Sequence, residues 1–182
     1  MMVASTKKKL TAIRIALTAM LTAVVVVFTL LVRVPTPIKG YISLCDVAIL
    51  FSAYMFGPWV GAIAGGLGTG VADLLGGYAQ WAPLSFLIHG LQALLAGLIA
   101  RQRHLNGEPI EASLFRLVVA GLIGMIIMSG GYYFAGGILY GFKAALSEVP
   151  LNLIQSGFGF VVAIVVSKAV IKAYPPVKAL AF

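Results

Sequence analysis

Long apolar runs follow one another along almost the entire chain, and that repetition limits its possible folds more than any single motif does. An apolar helix of about 20 residues crosses the hydrocarbon core of a bilayer. Six such segments with tight connections would use nearly all of the 182 residues. Hydrophobic residues make up 61% and charged residues 10%, whereas soluble domains carry about one quarter charged residues. No soluble core could absorb that apolar surface. The expected fold is an all-α integral membrane protein, a bundle of six transmembrane helices forming one domain over residues 1–182.

Span 1 is expected from Leu10 to Val32, ending where Arg33, Pro35 and Pro37 oppose helix continuation. An extended loop to Gly40 follows. Span 2, Ile42 to Phe56, is short, and Gly57-Pro58 turns the chain into span 3, Trp59 to Leu75. Span 4 runs over 83–100, span 5 over 114–137 and span 6 over 149–174. Between spans 4 and 5, Arg101, Arg103, His104, Asn106, Gly107, Glu108, Pro109 and Glu111 form the one distinctly hydrophilic loop. Lys7, Lys8 and Lys9 ahead of span 1 resemble a secretory leader, but the run they precede exceeds the about 7–15 apolar residues of such a leader. Span 1 is therefore expected to be retained.

An even number of spans gathers Lys7, Lys8, Lys9, Arg14, Arg101, Arg103, Arg116, Lys168, Lys172 and Lys178 on one side, against Arg33, Lys39 and Lys143 on the other. The positive-inside rule then makes both termini cytoplasmic and the protein a multi-pass component of the cytoplasmic membrane. The +8 charge belongs to this topology and not to nucleic-acid binding, because the cations cap apolar segments instead of forming a patch. Cys45 is the sole cysteine and reads as packing.

Ionisable groups within a membrane span cost about 2.5–3.5 kcal/mol on insertion scales, so Asp46 and Asp73 are the informative pair. Both fall toward the outer leaflet. They either cap local backbone groups or face a ligand. Tyr78, Gln80, Trp81, His89, Gln92, Tyr132, Tyr133, Glu148, Asn152 and Gln155 belong to the same level. His89 and Gln92 share a helix face, as do Asn152 and Gln155. Rings combined with neutral hydrogen-bonding groups suit a small planar polar ligand, although an interfacial aromatic belt would use the same rings. His89 lacks a second ligand at i+4, so no metal is expected, and no cofactor is called for. Small residues repeat at helical spacing in span 1 (Ala12, Ala16, Ala19, Ala23) and span 3 (Ala62, Gly66, Gly70). Such stripes pack helices closely, within one chain or against a partner. Phosphate-binding loops, nucleophile elbows and zinc-protease helices are missing from the sequence. The chain does not read as an enzyme, and ATP energy would come from another polypeptide.

The stretches Gly40-Tyr41-Ile42-Ser43-Leu44-Cys45-Asp46, Phe56-Gly57-Pro58 and Ala72-Asp73-Leu74-Leu75-Gly76-Gly77-Tyr78-Ala79-Gln80-Trp81-Ala82-Pro83 resemble the substrate-binding S components of energy-coupling factor (ECF) vitamin transporters of bacteria. The resemblance implies six helices, a vitamin bound near the outer face, and docking through an Ala-x-x-x-Ala stripe. Ala19 and Ala23, or Ala12 and Ala16, would carry that docking. The implied partners are a transmembrane coupling subunit (EcfT type) and two ATP-binding cassette ATPases (EcfA type). The pattern is most similar to hydroxymethylpyrimidine, pyridoxine or pantothenate members, and less so to thiamine, biotin or riboflavin members. The outer cations lie in loops or at helix ends, which disfavours the carboxylate of pantothenate and leaves pyridoxine or hydroxymethylpyrimidine as the expected ligand. An autonomous secondary carrier or channel, and a ligandless scaffold, are the competing classes. No duplicated halves, which many carriers show, are visible in the sequence.

Overall fold

A computed structural model describes residues 2–103 and 109–181. His104, Asn106, Gly107 and Glu108 lie outside the described residues, as do the side chains of Lys7, Lys8, Lys9, Arg103 and Pro109.

In chain order the elements are α1 (Met2–Leu31), β1 (Arg33–Pro35), β2 (Tyr41–Ser43), α2 (Cys45–Phe56), α3 (Pro58–Gly76), α4 (Ala82–Ala100), β3 (Gln102–Arg103), β4 (Pro109–Ile110), α5 (Leu114–Tyr140), α6 (Phe142–Ala145) and α7 (Val149–Ala173). Short 3-10 turns cover Leu146–Glu148 and Pro175–Leu180. The fold is that of an all-α membrane protein. Among the described residues, five helical stretches are long and apolar enough to cross a bilayer: Thr11–Leu31, Pro58–Gly76, Ala82–Ala100, Leu114–Tyr140 and Phe142–Ala173.

The second segment is short, as its sequence suggested, but its helix starts at Cys45 instead of Ile42. Its helix has only 12 residues, about 18 Å at 1.5 Å per residue, too short to cross alone. It begins at Cys45 because Tyr41–Ser43 pairs with Arg33–Pro35 as an antiparallel hairpin, in the register Arg33↔Ser43, Val34↔Ile42 and Pro35↔Tyr41. That hairpin replaces the extended loop expected before Gly40. Pro35 and Pro37 do forbid a helix there. Strands of three residues, however, leave no readable period in the sequence. The tip closes through Thr36 N–H donating to the Gly40 carbonyl at 3.0 Å, with Lys39 in the left-handed region at φ 58°.

Helix α2 is buried almost all round, which is where a helix without a polar face belongs. It packs on α1, α3, α4 and α7. Leu50 joins Ala96, Ala120 and Ala163 in one apolar cluster, and Ile49 joins Val25 and Ala93 in another. The small residues of span 3 serve packing inside the chain, since Gly66 lies against Phe86 and Gly70 against the Ala82 carbonyl of α4. The four alanines of α1 behave differently: Ala12, Ala16, Ala19 and Ala23 are all exposed.

At the opposite end from the β1–β2 hairpin, Arg116 donates from Nε to the Ile99 carbonyl at 2.9 Å and from Nη2 to the Arg101 carbonyl at 3.2 Å, closing the last turn of α4. Glu111 pairs with Lys168 at 3.1 Å and Lys178 at 2.8 Å. Hydrogen bonds from those two ammonium groups hold its carboxyl below the usual range.

Close approach at Gly97 generates a prediction. A methyl group there would stand 2.6 Å from Pro58 Cα, a backbone atom that cannot rotate away. Gly97→Ala is expected to destabilise the protein by about 1–3 kcal/mol, read as a lower Tm in detergent. Gly90→Ala, whose methyl would meet only ordinary contact at 3.5 Å, is expected to leave Tm unchanged or raise it, by up to about 1 kcal/mol of helix propensity.

Candidate functional site

The β1–β2 hairpin, the C-terminal end of α3, the first half of α4, the middle of α5 and the start of α7 enclose a cavity of about 440 Å³, its open mouth included. Asp73, Trp81, His89, Tyr132, Glu148, Asn152 and Gln155, all anticipated from the sequence, line it.

Asp73 lies one turn before the left-handed Gly77 that ends α3. It is buried, and its Oδ1 accepts a 2.5 Å hydrogen bond from the Tyr41 hydroxyl. Burial and the neighbouring Asp73 push the Tyr41 phenol well above its usual range, so Tyr41 remains a donor. The other oxygen, Oδ2, is buried and makes no hydrogen bond of good geometry among the described residues, although the Ser85 hydroxyl faces the carboxyl. Asn152 Nδ2 is buried with no hydrogen-bond partner among the described residues. An acceptor lacking a donor and a donor lacking an acceptor therefore line one cavity, and each such buried group costs about 1–3 kcal/mol if left unmade.

Asp46 sits behind the cavity wall with no exposed surface. Its Oδ2 accepts from Gln155 Nε2 at 2.6 Å, and its Oδ1 accepts from Gln92 Nε2 and from the Ser156 hydroxyl at 3.1 Å. Gln155 in turn accepts the Ser43 backbone N–H through Oε1 at 2.6 Å, and Gln92 Oε1 reaches His89 Nδ1 at 2.7 Å. The carboxylate thus fastens the hairpin, α4 and α7 together. Gly159 on α7 makes room, since any side chain there would overlap Asp46.

Trp81 and Tyr132 form the aromatic wall, ring centroids 5.7 Å apart, and His89 meets Tyr132 at 5.6 Å. Trp81 Nε1 donates to the Lys39 carbonyl at 3.0 Å, and Tyr132 shares a 2.7 Å hydrogen bond with Ser85. Glu148 accepts the Ile38 N–H at 3.1 Å. Every one of these bonds except that between Tyr132 and Ser85 ties the hairpin tip to the bundle.

Besides Asp46 and Gln92, which lie behind the wall, three anticipated residues stand apart from the lining. Gln80 is exposed, Tyr78 packs its ring on Tyr41, and Tyr133 packs on Phe134 and Phe142. Sequence reasoning did not single out Tyr41, Ser43 or Ser85, and it read Cys45 as packing, although all four line the cavity. Ser85 could have been found, because Trp81, Ser85 and His89 recur every four residues on one face of α4.

Cys45 Sγ, Asp46 and His89 bring ligand atoms within 4.8 Å of one another, a cluster that α4 spacing alone did not suggest. The set is a poor fit for a cation, because both Asp46 oxygens already receive N–H and O–H donors.

Comparison with known proteins bears on the family and the fold. Residues 9–172 match the family described as ECF-type riboflavin transporter, S component. The chain is 33% identical over 156 residues to the thiamine precursor transporter HmpT of Lactococcus lactis subsp. cremoris (strain MG1363), covering 85% of each chain. It is 32% identical over 139 residues to an uncharacterized protein of Pyrococcus woesei, covering 76% of this chain and 88% of that one. A solved structure of the S component of a bacterial ECF transporter has the same fold, with a TM-score of 0.62 and 21% identity, over 89% of this chain and 97% of that one.

The two acids are expected to respond differently to substitution. Asp46→Ala strands the Gln92, Gln155 and Ser156 donors, each worth about 1–3 kcal/mol when left unsatisfied, and should lower Tm sharply. Asp73→Asn can still accept from Tyr41 and should change Tm little while weakening ligand binding. Equal Tm losses would contradict this division of roles.

Proposed function

The chain belongs to the S components of ECF transporters, the membrane-embedded vitamin-binding subunits of importers whose ATP is hydrolysed by partner proteins, and we propose that its ligand is hydroxymethylpyrimidine. The observation that carries this reading is the pair of unpartnered groups, Asp73 Oδ2 and Asn152 Nδ2, on a cavity walled by Trp81 and Tyr132. An aminopyrimidine offers an N–H donor, ring-nitrogen acceptors and a flat face for the rings. The HmpT relative, matched over 85% of both chains and described as a thiamine precursor transporter, supports the same substrate. Nothing comparable supports pyridoxine. Pantothenate would bring its carboxylate to a lining that includes Asp73 and Glu148 and has no Lys or Arg.

In this reading the chain works as one transmembrane domain with both termini cytoplasmic and the cavity toward the outer face. Membership of the family implies association with a coupling membrane subunit and ATPase subunits. Ala12, Ala16, Ala19 and Ala23 are proposed to dock on the coupling subunit, supported by the exposure of all four and of Ile15 and Met20 beside them. A pair of ATPases completes the proposed complex.

A thermal-shift panel on the purified protein tests the substrate. Hydroxymethylpyrimidine at 100 times its Kd should stabilise by about 2.7 kcal/mol, whereas pyridoxine, pantothenate and riboflavin should not shift Tm. A shift with riboflavin or pantothenate alone would overturn the assignment. Replacing Ala19 and Ala23 together by Leu should leave ligand affinity intact and abolish assembly with the coupling subunit; unimpaired assembly would move the docking surface elsewhere.

A further inference from the structure

Asp46 and Gln92 do not line the cavity, yet together they determine what His89 presents to it. The Gln92 amide turns Nε2, its donor end, toward Asp46 Oδ1, which accepts from it. The same Nε2 also donates to Ser156 Oγ at 3.2 Å. Gln92 Oε1 is then the atom left to meet His89 Nδ1 at 2.7 Å. A carbonyl oxygen cannot donate, so the hydrogen between them belongs to Nδ1. An imidazole with one ring hydrogen consequently carries a lone pair on Nε2.

That nitrogen lies 3.9 Å from the thiol of Cys45, and both residues line the cavity. A thiol is a weak donor, which a ligand O–H or N–H can displace. Asp46 is itself held from a second direction, because Gln155 Oε1 is committed to the Ser43 backbone N–H and only Nε2 can face the carboxylate. The orientation of the whole chain of groups is thereby fixed by a backbone donor at one end and read out at an imidazole at the other.

We propose that Asp46 and Gln92 are positioning residues that hold His89 in the tautomer with hydrogen on Nδ1, so that Nε2 accepts a hydrogen bond from a donor on the ligand. The ligand contact rests on the cavity being the vitamin site proposed above; the tautomer does not. With Asp73 Oδ2, the cavity then offers two acceptors, and a ligand with two separated donors, such as an amine and a hydroxyl, satisfies both.

The test uses protein carrying 15N-labelled histidine and the substitution His104→Gln, which leaves His89 as the single histidine of the two in the chain. Two-bond 15N–1H correlation spectra should show the hydrogen on Nδ1 and a bare Nε2, and saturating hydroxymethylpyrimidine should move the Nε2 resonance. Gln92→Met should erase the tautomer preference. Asp46→Asn, whose amide nitrogen would face Gln92 and turn it over, should move the hydrogen toward Nε2, and each variant should weaken hydroxymethylpyrimidine binding about tenfold. Hydrogen on Nε2 in the unsubstituted site, or an unchanged tautomer in Gln92→Met, would overturn the relay. An Nε2 resonance that stays put at saturation would overturn the ligand contact. If hydroxymethylpyrimidine fails to bind while the hydrogen sits on Nδ1, the substrate reading falls and the relay stands.

Discussion

A carboxylate with no exposed surface and, among the described residues, no cationic partner, Asp46, organises the hairpin end of this bundle through donors that reach it from α4 and α7. Ionisable groups at membrane depth are costly, and this one receives amide and hydroxyl hydrogen bonds. A buried ion pair would have required a second desolvated charge with its own unmet hydrogen bonds. Amides add direction as well as energy, because each has a donor end and an acceptor end, and fixing one end fixes the other. Through Gln155 the constraint passes to the hairpin at Ser43, and through Gln92 it passes to His89. The acid therefore shapes the cavity without touching its interior.

The parts of the fold that could be read from the sequence are those written as continuous apolar runs bounded by Pro and Gly. Helices α3 and α4 begin beside Pro58 and Pro83, and Gly141 ends α5. The shortness of α2 was legible but its start was not, because Ile42 extends the apolar run and nothing in Tyr41-Ile42-Ser43 signals pairing with Arg33–Pro35. In the site, Asp73 was legible as an acid just inside a helix end, Trp81 as a ring in the break before α4, and His89 as a polar residue sharing a helix face with Gln92. Tyr41 was not, since a lone tyrosine before a span reads as an interfacial anchor. The role of Asp46 was only half legible. Its burial could be expected, but its partners lie 46 and 109 residues away along the chain, and no local spacing encodes such pairings.

The short second helix and the cavity have one cause. Irregular backbone at membrane depth is tolerated only where protein buries it or where it lines a cavity, and the hairpin meets that condition group by group. Ser43 N–H finds Gln155, Ile38 N–H finds Glu148, and the Lys39 carbonyl finds the Trp81 indole. Those partners are themselves cavity-lining residues. Had α2 continued as a helix through Tyr41, its backbone would have been satisfied internally and its side chains would have filled the space now bounded by Trp81, Tyr132 and His89. Ending the helix at Cys45 leaves that space open and obliges the bundle to supply polar side chains to the hairpin. Each of these hairpin groups is met by a side chain of the cavity wall, so the requirement to satisfy a broken helix also builds that wall.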